Sequence, residues 1–161
     1  MPMDNTQKKI LIVDDEVDIL ETLEELLDTF IVDTASSFED AVISLKSNTY
    51  DAAILDIMGV NGYDLLKITQ KLDIPTLMLT AHALSPANMK KSIKLGADAY
   101  IPKDKLIDIT LYVEDVLAAR QDKIKIGPSW FSRLSPFFSK PFGQKWQESE
   151  KDFWDEFDKK S

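Results

Sequence analysis

Apolar runs in this sequence repeatedly end at a polar residue that could take part in chemistry. The acidic pair Asp14-Asp15 follows one run, Asp56 a second, Thr80 a third and Lys103 a fourth. Three carboxylates at one place repel one another, and a hard, oxygen-seeking cation such as Mg²⁺ would relieve that repulsion. A carboxylate can attack phosphorus to give an acyl phosphate. The Lys103 ammonium and the Thr80 hydroxyl would then neutralise and hold the phosphoryl group.

The elements that must position these residues alternate along the chain between short apolar strands and amphipathic helices. The predicted strands are 10–13, 31–35, 52–55, 75–79 and 99–101. The first predicted helix carries apolar residues at helical spacing over 19–30, and the second follows a capping box formed by Ser36 and Glu39. The third follows Gly62, the fourth runs from Ser85-Pro86 to Gly96, and the fifth covers 104–119.

Five strand–helix units of this kind predict an α/β fold, a doubly wound parallel sheet with helices on both faces. In such sheets the functional site lies outside the carboxyl ends of the strands, where the strand order reverses. If the strand order is 2-1-3-4-5, the four polar strand ends converge on one edge.

In this order and spacing, Asp14-Asp15, Asp56, Thr80-Ala81, Tyr100 and Lys103 resemble the receiver domains of two-component response regulators. The resemblance covers about residues 8–122 and is to the single-domain, chemotaxis-regulator-like members. It implies a flavodoxin-like five-stranded sheet in the order 2-1-3-4-5. Apolar residues at helical spacing beyond residue 122 predict, separately, a short helical C-terminal extension. It also implies a switch of protein contacts rather than an enzyme.

The resemblance assigns roles residue by residue at the metal. Asp15 would bind Mg²⁺ directly and Asp14 largely through water. Asp56 would be the phosphoacceptor and a metal ligand, and the backbone carbonyl of Met58 would complete the protein ligands. The phosphoryl donor would be a sensor histidine kinase or a histidine phosphotransfer protein.

The remaining roles concern the phosphoryl group and the response to it. Lys103 would bind the phosphoryl group as its cation, and Thr80 and Tyr100 would be the coupled switch residues. The single histidine, His82, cannot build a histidine metal cluster and is interpreted as a solvated loop residue.

Two departures from the family pattern predict local differences. The acceptor aspartate is usually followed by Pro at the fourth position and Gly at the eighth, whereas Val60 and Gly62 stand at the fourth and sixth here. The loop after Asp56 is therefore predicted to be about two residues shorter. Asp104 replaces the usual proline after Lys103, and a trans peptide is predicted there because a cis bond before a non-proline residue costs about 3 kcal/mol.

Composition limits the other functions that this chain could have. The 161 residues carry a net charge of −9, which argues against nucleic acid as the default partner. There is no cysteine, which excludes disulfides and thiolate metal sites and is compatible with a reducing cytosol. The N-terminal residues lack the apolar stretch of a signal peptide, so a cytoplasmic location is predicted.

A change of composition predicts a boundary near residue 122. Residues 1–122 hold 22 acidic and 11 basic residues, whereas residues 123–161 hold 6 acidic and 8 basic residues. The second segment also carries all three tryptophans and nine of the fifteen aromatic residues. We therefore predict a receiver domain over 1–122 and an aromatic-rich extension over 123–161, which is expected to dock on a protein surface. Contact with a membrane is not expected.

Other functions fit single features of the chain. Acids before a helix commonly just complement its dipole, so the assignment depends on the whole pattern. A Mg²⁺-dependent phosphatase with an aspartyl nucleophile is one rival, but Asp56-Ile57-Met58 lacks the second acid of the Asp-x-Asp motif. A nucleotide-binding module would need a glycine-rich phosphate loop, which the sequence does not contain. A phosphate sink with no effector of its own remains open.

Overall fold

The computed structural model describes residues 8–81 and 86–122, and the predicted alternation of strands and helices is confirmed there. The strands are β1 Lys9–Val13, β2 Ile31–Ala35, β3 Ala52–Asp56, β4 Thr76–Thr80 and β5 Ala99–Pro102. The helices are α1 Val17–Leu26, α2 Phe38–Ser47, α3 Gly62–Lys71, α4 Pro86–Lys94 and α5 Ile109–Asp122, with a 3-10 helix over Lys103–Asp108 before α5.

The five strands form one parallel sheet in the order β2-β1-β3-β4-β5, which confirms the predicted fold class and strand order. Successive residues of β3 and β4 are all buried, so both faces of the sheet centre are covered. Helices α1 and α5 contact each other, as do α2 and α3. This double cover explains why the central strands read as continuous apolar runs rather than as alternating ones.

The start of α2 differs by one residue from the prediction. Ser37, not Ser36, is the N-cap, and its hydroxyl accepts a hydrogen bond from the backbone N–H of Asp40 at 3.1 Å. The predicted capping box of Ser36 and Glu39 is therefore wrong. Each of the two serines has an acid three residues later, and the extended backbone of Ser37 (φ −145°, ψ 163°) decides between them.

The segment after β5 also differs from the continuous helix predicted over 104–119. It begins as a 3-10 helix, with Lys105 outside helical geometry, and becomes α-helical only at Ile109. The Thr110 hydroxyl donates to the carbonyl of Leu26 at 2.8 Å, which ties the first turn of α5 to the end of α1. The peptide bond after Lys103 is trans, as predicted.

Three sequence predictions fall on residues that the structure does not describe. Ser85 and His82 lie in the gap between the described ranges, although α4 does begin at Pro86 as predicted. The predicted extension over 123–161 lies beyond the described residues. Among the helices within 8–81 and 86–122, none is long and apolar enough to cross a membrane.

Candidate functional site

The parallel sheet brings the polar strand ends to one edge. Asp14 directly follows β1, Asp56 ends β3 and Lys103 directly follows β5. The Lys103 Nζ atom lies 2.9 Å from Asp14 Oδ2 and 3.4 Å from Asp56 Oδ1. All three side chains are at least nine-tenths buried, with exposed fractions of 8%, 0% and 5%. Residues that are 42 or more positions apart therefore form one compact charged group, as the strand-end pattern predicted.

Glu16 also belongs to this group, although it was not among the predicted site residues. Its Oε1 atom lies 2.9 Å from Lys103 Nζ. Ligand oxygens of Asp14, Asp15 and Glu16 also lie within 4.8 Å of one another. Its position directly after Asp15 could have indicated a role in the site. An acid just before a helix, however, is usually there because it interacts favourably with the helix dipole.

Burial and repulsion shape the protonation of the acids. Burial, followed by the charge of Asp14, raises the pKa of Asp56 to about 6. Burial also raises the pKa of Asp14, against the opposing effect of its ion pair with Lys103. Burial alone would lower the pKa of Lys103, but its ion pair with Asp14 and its hydrogen bond with Glu16 outweigh this and the pKa is raised. The ammonium therefore stays charged and is outnumbered by the surrounding carboxylates.

This excess of carboxylate oxygen fits a hard cation. Mg²⁺ takes oxygen ligands, is commonly bound by one or two carboxylates and keeps several waters. Asp15 is exposed, so its carboxylate is accessible to solvent, whereas Asp14 and Asp56 are buried. A cation here would also relieve the repulsion that raises the pKa of Asp56.

The loop between β3 and α3 closes tightly on the acids. The backbone N–H of Val60 donates to the carbonyl of Met58 at 2.9 Å, across Gly59, whose φ is +77°. This is a γ-turn with a positive φ at its centre. The carbonyl predicted as a metal ligand thus already accepts one hydrogen bond, and its second lone pair is left for another partner.

Two glycines make this closure possible. A Cβ atom on Gly59 would lie 2.6 Å from Asp15 Oδ2, so the turn packs directly on the exposed acid. A Cβ atom on Gly62 would lie 2.1 Å from the backbone carbonyl oxygen of Asp56, closer than any side chain tolerates. The short loop therefore depends on glycine at position 62, where it turns from the acceptor strand into α3.

Thr80 and Tyr100 lie on neighbouring strands. In the register of the sheet, Tyr100 pairs with Met78 and Pro102 pairs with Thr80. Side chains two residues apart on a strand point to the same face, so Thr80 and Tyr100 share a face of the sheet. Both side chains are buried, and Tyr100 is not exposed at all. The predicted switch pair is thus placed on one face, with Tyr100 further from the edge than Thr80.

Residues 10–113 match the family model of the response regulator receiver domain. A heme response regulator, HssR, of Staphylococcus haemolyticus is 33% identical over 74% of this chain and 57% of its own length. A probable transcriptional regulator, ycf27, of Guillardia theta is 39% identical over 61% of this chain and 40% of its own length. The chain thus spans about half the length of these curated relatives.

Solved structures agree with this family match. A CheY-like response regulator receiver domain protein of Methanospirillum hungatei is 28% identical, with a TM-score of 0.67. The similarity covers 73% of this chain and 98% of that protein. A putative response regulator of Chloroflexus aurantiacus is 30% identical, with a TM-score of 0.63 over 70% of this chain.

Proposed function

Because the chain belongs to the response regulator receiver domain family of two-component systems, we propose that Asp56 accepts a phosphoryl group and that its modification switches protein contacts. The observation that carries this proposal is the buried Asp56 carboxylate, 3.4 Å from the Lys103 ammonium at the carboxyl edge of the sheet. With a pKa of about 6, Asp56 is mainly ionised at pH 7 and available as a nucleophile.

The proposed donor is a phosphohistidine of a sensor histidine kinase or a histidine phosphotransfer protein. An oxygen of Asp56 attacks phosphorus, a new O–P bond forms, and the N–P bond breaks. The histidine nitrogen keeps the bonding electron pair and takes up a proton. Lys103 neutralises charge on the phosphoryl oxygens, and the Thr80 hydroxyl donates to one of them. Thr80 and Tyr100 then carry the change to the surface.

We assign the metal to the acidic cluster, with Asp15 and Asp56 as direct ligands and Asp14 acting largely through water. Bound Mg²⁺ supplies positive charge that favours an anionic phosphoryl group beside three carboxylates. The free lone pair of the Met58 carbonyl is the remaining protein ligand in this proposal. The exposed Asp15 side chain keeps the cluster open to incoming ligands.

Labelling with acetyl phosphate tests the acceptor. We expect wild-type protein with Mg²⁺ to gain one phosphoryl group by intact mass, and the Asp56→Asn variant to gain none. Asp51→Asn is the matched control, because this acid flanks the same strand at its other end. Labelling of Asp56→Asn equal to that of wild type would exclude Asp56 as the acceptor.

The same sample separates a switch from the phosphatase alternative. A receiver forms one phosphoryl adduct and loses it slowly, whereas a phosphatase would release phosphate continuously from a phosphomonoester. Steady turnover of p-nitrophenyl phosphate that disappears in Asp56→Asn would favour the enzyme. A sink and an effector-binding switch differ only in whether a downstream protein binds the phosphorylated form.

We further propose that residues 1–122 form the receiver unit and that 123–161 form a separate extension that contacts a downstream protein. The extension has five basic and no acidic residues over 123–145 and nine aromatic residues overall. Aromatic side chains bury large areas on binding, which suits a protein surface. The cytoplasmic location and the absence of nucleic-acid and membrane partners stay predictions.

A further inference from the structure

Glu16 occupies an unusual place at the start of α1. It is the N-cap residue, yet its side chain makes no capping hydrogen bond to the first turn. Its backbone N–H instead donates to Asp14 Oδ1 at 2.8 Å, and its side chain reaches across to Lys103 Nζ at 2.9 Å. A residue well placed to stabilise its own helix thus contacts the cation of the candidate phosphoryl site.

Three carboxylates share the Lys103 ammonium. Asp14 and Glu16 lie 2.9 Å away, whereas Asp56 lies 3.4 Å away. Only the contact with Glu16 has hydrogen-bond geometry. Asp14 Oδ2 has no hydrogen-bond partner among the described residues, so Asp14 and Asp56 pair with the ammonium through charge. A phosphoryl group on Asp56 would take the place of that residue's own carboxylate contact and would compete for the ammonium with its hydrogen-bond acceptor, Glu16.

Exposure indicates which acceptor leaves. The Asp14 side chain is completely buried, so it would lose its main cationic partner without gaining water. The Glu16 side chain is 57% exposed, so water can replace Lys103 at little cost. Glu16 is therefore the acceptor that yields most easily.

We propose that Glu16 is a positioning residue that holds Lys103 before phosphorylation and competes with the phosphoryl group for it. The inference depends on the proposed function of Asp56, because the competitor is a phosphoryl group on that residue. Glu16 holds the ammonium 2.9 Å from its own carboxylate, against 3.4 Å from that of Asp56, and so opposes formation of the phosphorylated state. Its release also frees a carboxylate at the N-terminus of α1.

Binding of beryllofluoride, a phosphoryl mimic, tests the competition in the full-length protein with Mg²⁺. Glu16→Gln removes the charge, and Glu16→Asp keeps the charge but is too short to reach Lys103. We expect both variants to bind the mimic about two- to fivefold more tightly, as expected for a partly exposed ion pair. Glu24→Gln is the matched control, since it removes an exposed carboxylate elsewhere on α1.

A second readout follows Lys103 itself. The ¹⁵N signal of its side-chain ammonium, assigned with Lys103→Arg, should change in both Glu16 variants before any mimic is added and stay unchanged in Glu24→Gln. Wild type with bound beryllofluoride should show the same loss of the Glu16 contact. These results together would establish the competition.

Other outcomes overturn the proposal in distinguishable ways. If only Glu16→Gln binds the mimic more tightly, the negative charge at position 16 weakens binding of the mimic and the contact with Lys103 does not. If both variants lose Mg²⁺ affinity several-fold without binding the mimic better, Glu16 belongs to the metal. If wild type and both Glu16 variants bind the mimic with the same affinity, the proposed competition is wrong but the proposed function of Asp56 is not affected. Failure of wild type to bind the mimic or to be labelled at Asp56 would overturn the proposed function as well.

Discussion

The two edges of the sheet use aspartate in opposite ways. At the amino edge, Asp51 and Asp98 each stand one residue before a strand. The backbone N–H of Asp51 donates to the carbonyl of Lys9 at 2.7 Å, and its carboxylate accepts from the N–H of Lys9 at 2.8 Å. Asp98 makes the same pair of contacts with Thr76, at 2.7 and 2.8 Å. Each aspartate thereby fastens its strand to the first residue of the neighbouring strand.

At the carboxyl edge the aspartates lie at the ends of the strands, and the carboxylates outnumber the ammonium groups beside them. Asp14 and Asp56 share one ammonium with each other and with Glu16. Carboxylates at the amino edge hold the fold together, whereas those at the carboxyl edge repel one another until a cation or a proton arrives. Proteins commonly accept such local cost at functional sites.

The largest effect is expected at the amino edge. Asp98→Ala should lower the free energy of unfolding by about 1–3 kcal/mol, because it leaves the Thr76 N–H without its carboxylate acceptor in a largely buried site. Urea denaturation measures the loss. Asp73→Asn is the control, since it removes the other, 90% exposed partner of Arg120 and asparagine tolerates the left-handed backbone at that position. A similar loss in both variants would trace the effect to Arg120 instead of the strand contact.

At the carboxyl edge, replacing an aspartate is expected to stabilise the protein instead. Without Mg²⁺, Asp56→Asn should raise the free energy of unfolding at pH 7 by about 1 kcal/mol, because it removes a buried charge beside Asp14. Asp51→Asn should not stabilise the protein. Urea denaturation of wild type and both variants in EDTA measures the difference, and equal stability of wild type and Asp56→Asn would contradict the comparison of the edges.

The pH dependence of that difference gives a sharper test. The pKa of Asp56 is about 6 in the folded protein, against an ordinary value of 3.8, so folding favours its protonated form. The stability that Asp56 contributes is present below pH 3.8 and is lost as the pH rises through about 6. The advantage of Asp56→Asn should therefore vanish near pH 4 and reach its full size above pH 6. A constant advantage at all pH values would mean that packing, not charge, causes it.

The last test concerns metal binding. Asp15→Ala should weaken Mg²⁺ binding about fivefold or more, since it removes an exposed carboxylate from the cluster of Asp14, Asp15 and Glu16. Calorimetric titration of Mg²⁺ measures the change, with Asp18→Ala, an acid in the first turn of α1, as the control. An unchanged affinity would mean that Asp15 acts only on the helix dipole.

Much of the fold could be predicted because the signals for it are local. Each buried strand is a short apolar run, and β1 and β3 are bounded by Asp14 and Asp56, which mark the carboxyl edge directly. The predicted N-cap of α2 is wrong by one residue, because Ser36 and Ser37 are both serines with an acid three residues later. The 3-10 helix over Lys103–Asp108 leads into a hydrogen bond between Thr110 and Leu26, a long-range contact that no local pattern contains.

The proximity of residues at the strand ends could be predicted from the sequence. A contact that depends on how far a long side chain extends could not. Glu16 was missed because its pairing with Lys103 joins positions 87 residues apart through a long side chain. The hydrogen bond on the Met58 carbonyl follows from the γ-turn at Gly59, which sequence spacing does not reveal. The roles given to Thr80, Tyr100 and Met58 stay predictions.

The contact between Gly62 and the Asp56 carbonyl has a consequence for engineering. Loop length and residue identity are not independent variables here, because any side chain at position 62 collides with the acceptor's own backbone. A longer loop would relieve this collision only if it moved the start of α3 away from the carbonyl, whereas a library that keeps the present length must hold glycine constant. Chimeras that exchange this loop should therefore transfer it as one unit, from Asp56 through Gly62.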